Sequence, residues 1–404
     1  MGTEFGRVLR NRQFLWFLGS FSTASTGYSV FAISIVWLAY QQFHSFLVVG
    51  AVLAVERGAY CVTFLVAPFA DRVRNQRSIY VVSYPLQAAA AVALGYGALT
   101  GTLTVGLLLG LVVALSFLWD LTWAAGNAAP GILLTPDQQF AAGGVEGLLG
   151  GVNSIAGYAA GGALILVVGT GGGLYLYAAL LLLATALALP LRIAPARESA
   201  GSFVESFRDG WGVLAAGPGH PLLQLGAVDA IQGFFSAAPV LLLALAAVRS
   251  FAGQASAYAV LFVAYVVGGV VAGLVFARWN PRHRVGGLLL ASLGTGAAAF
   301  LVVSIEPALL AGTAAIWFLV GFVLSGYLDA KYAFLRGSVP PDRLARIVSN
   351  LYVFPGVTST VGAVVVGAAA TSLSFPALAW VVAGGLALAA VAGALLPGVR
   401  RLRF

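Results

Sequence analysis

Runs of about 18 or more apolar residues, the length that crosses a bilayer as a helix, recur along this whole chain and constrain it more than any motif does. A backbone in lipid must satisfy its own hydrogen bonds. Segments this long, without the period-two alternation of a barrel strand, therefore read as helices. Of 404 residues, 60% are hydrophobic and 8% charged, with a mean hydropathy of +0.97, against about a quarter charged in ordinary globular domains. The expected fold class is an all-α integral membrane protein with twelve transmembrane helices, arranged as two pseudo-symmetric six-helix bundles.

The spans are placed at roughly 12 to 40, 46 to 70, 78 to 100, 103 to 133, 139 to 169 and 172 to 191, then at 220 to 247, 255 to 277, 285 to 304, 307 to 330, 344 to 370 and 375 to 397. The first is too long for a signal-peptide core and is read as an uncleaved span. Residues 192–219 carry charges, serines, Pro195 and Pro218, and form an expected polar linker with a short surface helix from Ser202 to Leu214. The chain thus divides into an N-terminal bundle at 1–191, the linker, and a C-terminal bundle at 220–404. The single cysteine, Cys61, lies in an apolar run, so neither a disulfide framework nor a metal cluster is expected.

The net charge of +8 is assigned to cytoplasmic loops, with no nucleic-acid partner. With the N-terminus inside, Arg7, Arg10, Arg12, Arg72, Arg74, Arg77, the linker arginines, Arg278, Arg282, Arg284, Lys331, Arg336, Arg343, Arg346 and the tail Arg400, Arg401 and Arg403 all fall on the cytoplasmic side. Arg57 and Arg249 fall elsewhere. Both termini are then cytoplasmic in a multi-pass cell-membrane protein.

The halves repeat one another. Thr135-Pro136-Asp137-Gln138 and Pro340-Pro341-Asp342-Arg343 each precede a span, and the same register lays Gly157 on Gly362 and Gly162 on Gly367. A nearly equal shift lays Ala67 to Arg72 over Gly273 to Arg278. Duplicated bundles of this kind are a common plan for membrane transporters, with the binding site between repeats.

Twelve spans, the long central linker and the charged loop Asp71-Arg72-Val73-Arg74-Asn75-Gln76-Arg77 resemble the major facilitator superfamily across the whole chain. The family's loop pattern, approximately G-x-x-x-D-R-x-G-R-R, is matched by Asp71 and Arg72 and departs at Ala67, Arg74, Asn75 and Gln76. Asn11-Arg12-x-Phe14, Pro136-Asp137, and Asn153 with Gly157, Gly161 and Gly162 resemble the branch containing enterobactin and macrolide exporters. The resemblance implies alternating access, a cavity lined by spans 1, 4, 7 and 10, and a cytoplasmic gate at Asp71 and Arg72. The usual partner arginine at the end of span 4 is missing. A carboxylate is favoured near a helix N-terminus, so Asp71 is expected to pair with Arg343 or Arg346 at the start of span 11.

Ionisable residues inside spans are costly and mark pathways or proton sites. Asp229, Gln232 and Ser236 recur at i, i+3 and i+7 on span 7, and Asp120, Trp123 and Asn127 on span 4, so each trio is expected on one cavity-lining helix face. Glu56 with Tyr60 and Thr63, and Glu146 with Gly150 and Asn153, form like stripes on spans 2 and 5. Arg57 is the expected partner of Asp120. Asp329, Lys331 and Arg336 are read as a solvated helix end. Asp229 shows no cation in reach, and a desolvated carboxyl without one exchanges protons near neutral pH. Proton coupling is therefore assigned to Asp229, with Glu56 and Glu146 as further candidates. Asp120, Trp123, Asn127, Gln232, Ser236 and Trp317 are assigned to substrate. The glycine series at 143, 147 and 151 and at 269 and 273 is expected at a moving interface.

The sequence contains no nucleotide-binding loop, metal cluster or nucleophile-base arrangement, so no enzyme activity and no cofactor are expected. The expectation is a monomeric secondary active transporter: a proton-coupled exporter of amphipathic or cationic small molecules, with protons and membrane lipid as its other partners. Alternatives are an importer or uniporter of a polar nutrient and, from another class, a non-transporting receptor or a lipid scramblase.

Overall fold

The computed structural model describes residues 6–73, 75–193, 212, 220–278, 285–305, 309–338 and 341–402. The expected linker helix from Ser202 to Leu214, except at Gly212, and the loop arginines Arg74, Arg282 and Arg284 with the tail Arg403 lie outside these residues. All the long elements are helices: α1 Arg12–Phe43, α2 Phe46–Arg72, α3 Gln76–Thr100, α4 Val105–Leu133, α5 Pro136–Val167, α6 Thr170–Ala188, α7 Pro221–Phe234, α8 Ala238–Ser250, α9 Ala255–Arg278, α10 Val285–Val303, α11 Leu310–Ser338, α12 Pro341–Ser372, α13 Phe375–Leu395 and the short α14 Pro397–Arg400. Eleven spans among the described residues are long and apolar enough to cross a membrane, with α7 and α8 making one span together.

Local chemistry sets the helix ends. Asn11 Oδ1 accepts from the backbone N–H groups of Gln13 and Phe14, both at 3.1 Å, and so caps α1. Its Nδ2 donates to the Leu133 carbonyl at 3.0 Å, tying the start of α1 to the end of α4. The Thr135-Pro136-Asp137-Gln138 motif opens α5 as a capping box, with the Thr135 N–H donating to Gln138 Oε1 at 3.2 Å. Ser374 caps α13 through the N–H of Ala377, and Gly101, at φ 69°, ends α3 in the left-handed region.

The chain forms two compact units, residues 1–43 with 62–200 and residues 44–61 with 201–404. In the first, α1 packs on α5 and α6, and α3 on α4 and α6. Gly157 and Gly161 make the α1–α5 contact: a Cβ on Gly161 would lie 3.2 Å from Val30 Cα, and one on Gly157 would meet the Thr26 carbonyl. In the second, α9 packs on α11, α7 on α12, and α10 on α11 and α13. Gly268 and Gly321 let α9 and α11 touch through backbone, since their Cβ positions fall against the carbonyls of Phe318 and Tyr265. Gly269 faces Ser325 in the same contact. Gly269 and Gly273 thus both face α11 within one unit. The first half of α2 lies against α12, where a Cβ on Gly50 would stand 2.9 Å from Gly367 Cα.

Span 7 is not the continuous helix expected from its hydropathy. α7 ends at Phe234 and α8 starts at Ala238, with tight turns between: Phe235 N–H to Gln232 O at 3.1 Å, Ser236 N–H to Gly233 O at 2.9 Å and Ala238 N–H to Phe235 O at 3.0 Å. Pro239 explains the break. It has no N–H to offer Phe235 O, and in a continuous helix its ring would strike that same carbonyl. The single-face register of Asp229, Gln232 and Ser236 is corrected accordingly, because Ser236 lies beyond the helix that carries the other two.

Candidate functional site

The break in span 7 lies just beyond a buried polar cluster in the second unit. Asp229 on α7 is fully enclosed, at 0% exposure, and both its oxygens are used. Tyr327 donates its phenol hydrogen to Oδ1 at 2.6 Å, and Lys331 Nζ donates to Oδ2 at 3.1 Å as a salt bridge. Tyr327 and Lys331 stand one turn apart on α11, so one helix face presents both donors to α7. The Lys331 ammonium also lies over three aromatic rings, 5.9 Å from the centre of Tyr327, 5.4 Å from Tyr332 and 6.0 Å from Tyr352 of α12. Lys331 is buried, while Tyr332 is half-buried and Tyr352 reaches the surface of the unit at 38% exposure.

Two sequence expectations are corrected here. Asp229 does have a counter-charge, and Lys331 is not part of a solvated helix end. α11 continues to Ser338, past the expected end near 330, which carries Lys331 into the helix and towards α7. The pair separates its charges across two helices in apolar surroundings, where removing either partner strands the other. A single carboxylate and three ring faces can hold an organic cation; among the described residues no group of His, Cys, Asp or Glu is placed to hold a metal.

The other expected site residues fall in separate places. Gln232 and Ser236 are half-buried on either side of the end of α7. Trp317 is fully buried in the core, edge-on to Tyr265 at 6.4 Å and to Phe300 at 6.2 Å. Glu56, in the first half of α2, is half-buried with Oε1 enclosed and without a hydrogen-bond partner among the described residues. In the first unit, Asp120 is buried whereas Trp123 and Asn127, on the same expected stripe, are exposed; Asn127 Nδ2 donates back to the Trp123 carbonyl at 3.0 Å. An aromatic run surrounds this stretch: Tyr28 stacks on Trp119 at 4.2 Å and 9°, and Phe21 lies 5.6 Å from Trp123. Glu146 on α5 is half-buried. The side chains of Asp71, Arg72, Arg343 and Arg346 lie outside those described, and with them the expected gate. The sequence offered Tyr327 only as one aromatic of an apolar binding wall and missed Tyr332, Tyr352 and the role of Lys331; tyrosines at i−4 and i+1 of an intramembrane lysine were the available signal.

No protein-family model matches the sequence, and no curated protein matches it. Solved structures do. Two structures of the nucleoside transporter NupG, one of a point mutant, superpose with a TM-score of 0.76 at 13% identity, covering 96% of this chain and 99 to 100% of theirs. The chain shares their fold. A bacterial homologue of the iron transporter ferroportin, in its inward-facing state, gives a TM-score of 0.68 at 15% identity, over 96% of this chain and 99% of that one. This is the multi-pass helical fold that the resemblance to the major facilitator superfamily implies. Unwound backbone inside a span is tolerated only where protein or a cavity covers it.

Proposed function

We propose that the chain is a secondary active transporter working by alternating access between two six-helix halves, residues 1–191 and 220–404, and that it exports amphipathic or cationic small molecules in exchange for protons. The observation that carries this reading is the enclosed Asp229–Lys331 pair beside the break in span 7, set in a fold shared with solved transporters. A buried ion pair stabilises a protein little compared with an apolar pair of the same size, so its presence inside a span points to use. The mid-span residues Glu56, Asp120, Glu146 and Asp229 outnumber Arg57 and Lys331, which favours cations over anions and supports proton exchange. Glu56 and Glu146 are further proton sites in this reading, and Asp120, Trp123, Asn127, Gln232, Ser236 and Trp317 contribute to substrate recognition. Asp71 and Arg72 act with Arg343 and Arg346 as the cytoplasmic gate. The protein is a monomer in the cell membrane with both termini and the 192–219 linker in the cytoplasm. The exporter assignment follows the sequence likeness to enterobactin and macrolide exporters at Asn11-Arg12-x-Phe14 and Pro136-Asp137.

A second reading is import of a polar nutrient, favoured by the structural likeness to a nucleoside transporter. Reconstitution into liposomes under an imposed pH gradient separates the two. Ethidium, a macrolide, a siderophore, a nucleoside and a sugar are offered in turn. Movement of ethidium or the macrolide against the proton flow supports exchange, and a nucleoside moving with the protons supports import. Lipid scrambling without saturable flux of any of these compounds contradicts both.

A further inference from the structure

Among the described residues the charges at Asp229 balance: one carboxylate, one ammonium, and a phenol donating to the other carboxylate oxygen. Lys331 sits where a ligand cation would sit, with a carboxylate oxygen at 3.1 Å and three tyrosine faces around it at 5.4 to 6.0 Å, the arrangement by which aromatic cages hold alkylammonium groups. Among the described residues, the titratable groups facing it are Asp229 from α7, Tyr327 and Tyr332 from α11 and Tyr352 from α12. Asp329, two residues earlier, lies on another face of α11, with Oδ2 towards Gly273 of α9.

We propose that Lys331 is a tethered stand-in for the substrate and the group that gives up the exchanged proton. This rests on the reading of the chain as a cation/proton exchanger. A substrate ammonium that takes over Asp229 and the ring faces leaves two cations against one carboxylate in an apolar enclosure. A desolvated lysine without a counter-charge relieves this by losing its proton. The Nζ–H bond breaks, its electron pair stays on nitrogen, and the proton passes to water of the open compartment. One positive charge enters and one leaves, so the enclosed site stays neutral. When the substrate departs, Lys331 takes a proton back and returns to Asp229. The site therefore selects organic monocations and sets an exchange of one proton per substrate. Tyr352, exposed at the surface of the unit, is the approach to the cage.

The test uses the full-length protein in detergent micelles with two permanent cations, tetraphenylphosphonium and ethidium, which bring no exchangeable proton of their own to the site. Binding is followed directly and proton release by a pH indicator in weakly buffered medium. Wild type is expected to release about one proton per cation bound. Lys331→Ala is expected to bind the cation and release none, whereas Lys331→Arg, whose guanidinium keeps its proton, is expected to bind at least about tenfold more weakly. Should Lys331→Ala not fold, the wild-type ratio and Lys331→Arg decide. Cation binding by wild type without proton release, equal release from Lys331→Ala, or unchanged affinity in Lys331→Arg each overturns the proposal. Any of these leaves the transport reading standing if a pH gradient still drives ethidium movement in liposomes. Absence of cation binding by wild type, with no gradient-driven movement, removes both.

Discussion

Lys331 Nζ lies 3.1 Å from Asp229 Oδ2, on a different helix and 102 residues away in the chain, with both side chains enclosed. Removing one partner of such a pair leaves a charge with no compensation and destabilises by about 3–5 kcal/mol, whereas removing both leaves a neutral site. Asp229→Asn and Lys331→Met are each expected to lower the melting temperature in detergent. The double variant is expected to recover most of the loss. Additive losses in the double variant would show that the two charges do not depend on each other.

Pro239 keeps α7 and α8 apart by denying Phe235 O a helical donor. Pro239→Ala restores that N–H and removes the ring, and a proline inside a helix costs about 3 kcal/mol. The variant is expected to be at least as stable as wild type but to transport at least tenfold more slowly, because a continuous helix holds Gln232 and Ser236 in a fixed register. Thermal unfolding and liposome flux, measured on the same preparation, check this. Full flux in Pro239→Ala would mean that the break has no part in transport.

Much of the fold was legible in the chain. The starts of α5 and α13 follow from Thr135-Pro136 and Ser374, and Asn11 does for α1 what its side chain allows at a helix start. Hydropathy located the spans because a lipid-crossing helix needs length and little else. It could not locate the break in span 7, since Phe235, Ala237 and Ala238 are as apolar as their neighbours; only Pro239 marked it. Nor could it pair Asp229 with Lys331. The apolar run fades near 330 while α11 continues through Lys331 to Ser338, sheltered by Tyr327 and Tyr332, and a partner 102 residues distant is fixed by packing, not by local pattern. The face shared by Asp120, Trp123 and Asn127 was half right: the period is helical, but Asp120 turns into the core and Trp123 does not.

Gly50 and Gly367 cross so closely that a Cβ on Gly50 would stand 2.9 Å from Gly367 Cα, and one on Gly367 would stand 2.8 Å from Gly50 Cα. Gly50→Val or Gly367→Val is expected to drive the first half of α2 off α12, at a cost of about 1–3 kcal/mol for overpacking. In a Cys61→Ser background, a cysteine replacing the buried Ala363, whose carbonyl faces Gly50, should be nearly unreactive to maleimide. It should react several-fold faster once valine is introduced. Equal rates would show that the crossing yields without opening.

The proposed orientation rests on the basic loops. Asn75 is exposed between α2 and α3, and a cysteine there, again without Cys61, should label with an impermeant maleimide only from the cytoplasmic face. Labelling from outside intact cells would invert the proposed topology.

In the proposed exchange Asp229 is the carboxylate that holds the transported cation. The most direct measurement is ethidium accumulation in proteoliposomes driven by an imposed pH gradient, comparing wild type with Asp229→Asn at matched reconstitution. Wild type should concentrate the dye severalfold and Asp229→Asn should not concentrate it at all, since the substituted amide offers no charge either to a cation or to Lys331. Accumulation by Asp229→Asn at the wild-type level would contradict the account.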